Sequence, residues 1–232
     1  MPVTIKGSGG GSVTLDAGTA ASDTTLTLPN VTGTLLQSGT AVTAAQGGTG
    51  VTSTGAAGNV LFTTDGSSWS ATQKIVQGTA VSSTSGTSID FTGIPSWVKR
   101  VTVMLNGVST TGTSSTQIQL GTSGGFVTSG YASNFGFISS AGTVAGTTAI
   151  TTGLTVFGIN ANTDTVSGVF ALHNLSGNVW AYSGVGSRTG NVGAAYVTAT
   201  PQTLSSALTQ IRFTTVNGTD TFDAGSINLL WE

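Results

Sequence analysis

The sequence predicts an all-β protein: an extended N-terminal arm followed by a C-terminal antiparallel β-sandwich of jelly-roll-like type. Three observations carry that reading. Charged residues make up only 6% of the chain, against about 25% in ordinary soluble domains, and Gly, Ser and Thr take their place. Aliphatic content is ordinary, so this is not the low-hydrophobicity, high-charge composition of a disordered chain. Short apolar/polar alternations recur with turn residues between them, and no stretch has the 3.6-residue period of an amphipathic helix.

The stretch Ile94–Gly107 anchors the sandwich. Pro95 fixes its own φ and pushes Ile94 towards an extended conformation, so the chain is expected to enter a strand at Val98. Val101, Val103 and Leu105 then fall on one face, with Arg100, Thr102, Met104 and Asn106 on the other. Asn106-Gly107 reads as a hairpin turn, because both residues tolerate positive φ. Ser226 to Trp231 forms a second clean strand, with Ile227, Leu229 and Trp231 on one face.

These two stretches also carry a resemblance. Ile94 to Val103 with Asn106-Gly107-Val108-Ser109, and the closing Phe222 to Glu232, are similar to the head and tail of a β domain of tailed-bacteriophage tail-fibre and virion-decoration proteins. The likeness extends from residue 87 to the end, with a second patch at Thr27 to Leu36 and a Gln46-Gly47-Gly48-Thr49-Gly50 element of the kind that recurs in phage fibres. It implies a homotrimer, a position on the virion, attachment to other virion proteins through the arm, and synthesis in a bacterial cytoplasm.

Residues 1–46 form the expected arm. Val13, Leu15, Leu26 and Leu28 alternate in short strand-like stretches, and Leu35 and Leu36 follow Pro29-Asn30. Such a polar, Gly-rich region has too few large apolar residues for a core of its own, so it needs another chain to pack against. Residues 47–73 read as a Gly-rich linker with a small hairpin turning at Asp65-Gly66. A phosphate-cradling role for these glycines would need a helix to follow, and none does. Residues 74–232 are the β domain. Its expected strands are Lys74 to Val81, Ser88 to Phe91, Val98 to Leu105, Gln117 to Leu120, Phe135 to Ile138, Ala149 to Ile159, Val166 to Asn174, Val179 to Ser183, Tyr196 to Ala199, Ile211 to Thr215 and Ser226 to Trp231.

Composition also narrows the function. A net charge of −2 offers no basic patch for nucleic acid, and there is no cysteine for a disulfide, a thiolate metal site or a Cys nucleophile. No apolar run of membrane-spanning length is present, and Met1 to Gly7 lacks the features of a signal peptide. His173, the single histidine, is expected at a sheet edge or a trimer contact rather than in a Ser-His-Asp triad. Polysaccharide cleavage would need two carboxylates about 5–10 Å apart. Asp220 and Asp223, the nearest such pair in sequence, read instead as turn residues before the last strand, and Asn217 to Asp223 lacks EF-hand spacing. Lys99 and Arg100 are expected to pair with Asp90 or Asp223. No cofactor and no metal is expected.

Exposed rings can stack on the apolar faces of sugars. The candidate receptor-contact residues are therefore Phe126, Tyr131, Phe135 and Phe137, in one Gly/Ser-rich stretch, with Arg188 in a Gly184 to Gly193 loop. The leading expectation is a trimeric tail-fibre component contacting a glycan or protein of the host surface. A capsid-decoration or head-fibre protein that cements the shell comes second, and a polysaccharide-degrading enzyme third.

Overall fold

The computed structural model describes residues 3–6, 8–15, 59–63, 69–72, 75–139, 141–142, 144–146, 149–189 and 191–232. The chain divides into two compact units, Met1–Thr52 and Ser53–Glu232, so the boundary falls inside the segment read as a linker. In the first unit, β1 (Val3–Lys6) and β2 (Ser12–Leu15) pair antiparallel, Val3 opposite Leu15. Val13 and Leu15 lie on β2, while Leu26, Leu28, Leu35 and Leu36 fall outside the described residues.

The second unit opens with a small antiparallel pair, β3 (Val60–Phe62) and β4 (Ser70–Thr72). This is the expected hairpin, although Asp65-Gly66 lies outside the described residues. The Phe62 ring meets that of Trp97 at 6.5 Å. The strands that follow are β5 (Val76–Gln77), β6 (Val81–Ser82), β7 (Ser88–Thr92), β8 (Arg100–Thr110), β9 (Thr116–Thr122) and β10 (Gly125–Phe126). Next come β11 (Ser133–Ile138), β12 (Val144–Gly146), β13 (Leu154–Phe157), β14 (Val166–Ser176) and β15 (Val179–Arg188). The chain closes with β16 (Asn191–Ala199), β17 (Gln202–Thr203), β18 (Gln210–Thr215) and β19 (Phe222–Trp231).

The strands build two antiparallel sheets. The larger runs β12-β11-β16-β15-β14-β8-β19-β5, with β6 also on β19 and β17 on β15; the smaller runs β10-β9-β18-β7, with β13 on β9. Among the described residues there is no helix. The inward residues of both sheets form one core: Val101, Val103, Phe170, Leu172, Ile227 and Leu229 face Ile89, Ile118, Leu120, Ile211 and Phe213. Rings cross between the layers, Phe213 against Phe222 at 5.5 Å and Phe135 against Phe157 at 5.8 Å. The Tyr182 hydroxyl donates to Thr155 O at 2.7 Å.

The expected hairpin at Asn106-Gly107 is instead a bulge inside one long strand. β8 advances three residues, Leu105 to Val108, while β14 advances two, Gly168 to Val166. The extra residue switches the side-chain phase: Val101, Val103 and Leu105 are buried before it, Val108 and Thr110 after it. Without the bulge, Val108 would point to solvent. Gly107 takes φ +61°, and its N–H donates to Ser167 Oγ at 2.9 Å. Across the pair, Gly225 takes φ +94°, and a Cβ there would lie 2.4 Å from Gly107 O. Both glycines are therefore needed, one for conformation and the other for conformation and space.

Three further expectations change. β8 starts at Arg100 rather than Val98, because Val98 N–H donates to Pro95 O and closes a turn. The Ala149 to Ile159 stretch shortens to β13, with a single bridge from Ile150 to Ser133. The Gly184 to Gly193 stretch is not a loop. Its described residues belong mainly to β15 and β16, which run to Arg188 and from Asn191. Gly184 and Gly186 make room for Phe170, since a Cβ on Gly184 would come within 2.4 Å of that ring. Glycine inside a strand marks close approach of a neighbour, here an aromatic laid over the backbone.

Candidate functional site

Most of the expected receptor-contact residues are buried. Tyr131 is 3% exposed; its hydroxyl accepts from Leu120 N–H at 2.9 Å and donates to Val127 O at 3.1 Å. Burial pushes its pKa up to about 12, with the Leu120 hydrogen bond acting weakly the other way. Phe135 is buried and stacks on Phe157, and Phe137 packs half-buried beside it. Arg188 is also buried: Nη1 donates to Gly158 O at 2.5 Å, Nε lies 3.4 Å from Asp164, and the guanidinium sits over the Phe157 ring. These four side chains hold the fold together. Phe126 is half-buried, its ring 4.1 Å from the Arg212 guanidinium carbon.

That contact leads to the outward face of the small sheet. The register there sets polar side chains in two cross-strand rows, Asp90–Arg212–Gln119 and Ser88–Thr214–Gln117. Alternation accounts for the placement, because Ile89, Ile118, Leu120, Ile211 and Phe213 occupy the inward positions of the same three strands. Apart from Asp90, the residues of these rows line a groove of roughly 260 Å³, bordered by Thr128, Thr152 and Asn217.

The floor is held rigidly. Gln117 Nε2 donates to Thr215 O, and its Oε1 accepts from Thr152 Oγ1 at 2.8 Å. Gln119 Nε2 donates to Thr152 O at 3.0 Å, and Thr214 Oγ1 to Thr87 O at 2.8 Å. Arg212 grips Asp90 with two bonds of 2.7 Å. The Asp90 hydrogen bond raises the Arg212 pKa above its ordinary value, against a smaller lowering by burial and with further help from the Asp90 charge. The sequence offered a partial signal, the Gln117-Ile118-Gln119-Leu120 alternation. It could not show which strands would flank those glutamines.

The expected partners of Lys99 and Arg100 are corrected. Arg100 pairs with Glu232 and Lys99 Nζ donates to Asn174 Oδ1, while Asp90 goes to Arg212 and Asp223 accepts from Ser109 Oγ. Asp220 takes Ser114 N–H and Asn217 Nδ2 in the turn before β19. Asp164 accepts from the Asn160 and Ala161 N–H groups. Each of these carboxylates thus has a structural partner. Among the described residues no three His, Cys, Asp or Glu side chains gather where a metal could bind. His173 lies inside the large sheet, opposite Arg100 and Ala181, and faces solvent rather than an edge. No described helix is long and apolar enough to cross a membrane.

Comparison of the chain with family models, with curated proteins and with solved structures returned no match.

Proposed function

We propose that the chain is a structural protein of a tailed-bacteriophage virion, a trimeric tail-fibre component attached through residues 1–46. Its C-terminal jelly-roll-like sandwich contacts the host surface. The observation that carries this reading is where the two resembling stretches meet. β8 and β19 are hydrogen-bonded neighbours, Val101 opposite Trp231 and Leu105 opposite Ile227. The Lys99 and Arg100 N–H groups both donate to Glu232 O. Residues at opposite ends of the domain thus belong to one structural unit, so the two motifs count as a single coherent likeness rather than two coincidences. The groove on the small sheet favours a host-contact role over a cement role, because a protein that only clamps a shell has no use for a ligand groove.

In this reading the partners are two further copies, other virion proteins held by the arm, and a glycan or protein of the host. Nucleic acid, membrane insertion, catalysis and cofactors have no part in it. Electron microscopy of particles labelled with antibody against residues 74–232 tests the proposal. Label at the tail is expected. Label over the head would replace the fibre reading with capsid decoration, and particles lacking the protein should then lose heat stability.

A further inference from the structure

We infer that the groove on the outward face of the small sheet binds a neutral saccharide recognised by Gln119 and Arg212, with Asp90 fixing Arg212 and the buried Gln117 fixing Thr152. The inference deepens the host-contact reading and takes its biological setting from it. Three properties of the groove point to this ligand class.

The first is its hydrogen-bonding chemistry. The groove presents the Gln119 amide, threonine and serine hydroxyls and the Arg212 guanidinium side by side. An amide carries both donors and an acceptor, and so does each sugar hydroxyl in its own way. Gln119 commits one amide N–H to Thr152 O, which leaves the rest of its amide to a ligand. Arg212 spends two N–H groups on Asp90 out of the five that a guanidinium has. Adjacent ligand hydroxyls can bridge from this guanidinium to the Gln119 amide beside it in the same cross-strand row.

The second is charge. Asp90 neutralises Arg212, and no lysine lines the groove. A phosphate, sulfate or sialic carboxylate would meet a guanidinium whose charge Asp90 already balances, and so would gain little over a neutral ligand. An apolar ligand would strip water from the amides and return no hydrogen bond. A neutral, hydroxyl-rich ligand does not meet that penalty.

The third is preorganisation. Gln117 is held at both ends of its amide, Thr214 is bonded to Thr87 O, and Phe126 lies over Arg212. Little side-chain freedom remains to be lost on binding, and that loss is a main cost of association. The groove volume of roughly 260 Å³ is smaller than that of drug-sized pockets, about 300–1,000 Å³. It suits a short stretch of a glycan whose remaining residues run out into solvent.

The test uses the full chain on an array of neutral hexose, deoxyhexose and N-acetylhexosamine oligosaccharides beside sialylated and sulfated ones, followed by calorimetric titration of the strongest hit. Two variants accompany it. Gln119→Ala removes a floor amide. Thr128→Trp fills the groove from an exposed position whose side chain makes none of the bonds that fix the floor. The expected result is binding to a neutral glycan that weakens at least tenfold in both variants, with both still folded by circular dichroism. If Gln119→Ala fails to fold, Thr128→Trp decides alone. Unchanged affinity in Thr128→Trp, preference for anionic glycans, or no binding on the array overturns the inference. Adsorption of the same proteins to host cells separates the two levels: equal adsorption of wild type and Thr128→Trp removes the groove but keeps host contact, and no adsorption of either removes host contact itself.

Discussion

The two outward faces of this sandwich obey the same alternation and end up as different surfaces. On the small sheet the outward positions are Gln, Thr, Ser and an Arg–Asp pair, and the two glutamines are 2% and 7% exposed, both bonded to Thr152 and one also to Thr215. On the large sheet the central outward row runs Asn228–Met104–Val169–Val185, and both valines are 49% exposed. Alternation therefore decides only which residues leave the core. What covers them, and whether their polar groups are spent on the fold, decides what each face can do. On the small-sheet face Arg212 keeps N–H groups beyond those that Asp90 takes, and the proposed ligand would use them. The two exposed valines of that row are the kind of surface that association of copies would use, and the proposed trimer has a use for it.

The largest expected effect tests the bulge that sets the phase of the large sheet. Gly225→Ala places a Cβ against the backbone of Gly107 and forces φ +94° on an L-residue. The strain of such a backbone costs about 1–3 kcal/mol before any overlap is counted, so a loss of about 3–4 kcal/mol is expected from urea unfolding. Gly107→Ala, with φ +61° and open space around the new Cβ, should cost only about 1–2 kcal/mol. The groove should keep its ligand in the folded fraction of both. Equal losses would mean that the contact between the two glycines does not hold the bulge.

That bulge also marks the limit of what the sequence could reveal. Val101, Val103 and Leu105 were legible as core, as were Ile227 and Leu229, because period-2 alternation is written in adjacent residues. Asn106-Gly107 was not, because positive φ serves a hairpin and a bulge alike. The choice rests on Gly225 and Ser167, which are distant in sequence. Gly184 and Gly186 read as loop for the same reason: the ring of Phe170 that explains them sits on the neighbouring strand. The candidate site was less legible still. Tyr131, Phe135 and Arg188 have the residue types of a sugar-binding surface but serve the core, and Phe126 was the single candidate that led to the groove.

The next effect is on the small sheet and depends on pH. Tyr131 ties Leu120 N–H to Val127 O and so holds the loop after β10 against β9. Its pKa rises from 10.0 to about 12 on folding, so the folded chain keeps the phenolic proton longer than the unfolded one. The associated stability is fully present below pH 10 and is lost as pH rises through about 12. About 3 kcal/mol is at stake for a shift of this size. Tyr182, its pKa raised by burial, acts in the same direction under the core. Unfolding monitored from pH 8 to 12 should show the decline, and Tyr131→Phe should flatten it. At neutral pH that variant should cost about 1–2 kcal/mol, because the buried Leu120 N–H loses its acceptor. An unchanged alkaline slope would remove Tyr131 as the fastener of the loop.

The smallest effect sets one ion pair on each sheet against the other. Arg212–Asp90 is bidentate, its side chains are 32% and 34% exposed, and Phe126 covers the guanidinium. Arg100–Glu232 lies at the end of β8, with Arg100 45% exposed. Solvent screens such an exposed pair, and its contribution is expected at about 0–1 kcal/mol. The bidentate geometry and the ring over the cation should lift the Arg212 pair to about 1–2 kcal/mol. Double-mutant cycles for Arg212/Asp90 and Arg100/Glu232, each run at low salt and near 1 M salt, measure the difference. The Arg100 coupling should disappear in high salt, while a part of the Arg212 coupling survives because the ring excludes water from one side of it. If both couplings vanish together, Arg212 is not held in place before a ligand arrives. The small-sheet face would then lose the rigidity that distinguishes it from the large one.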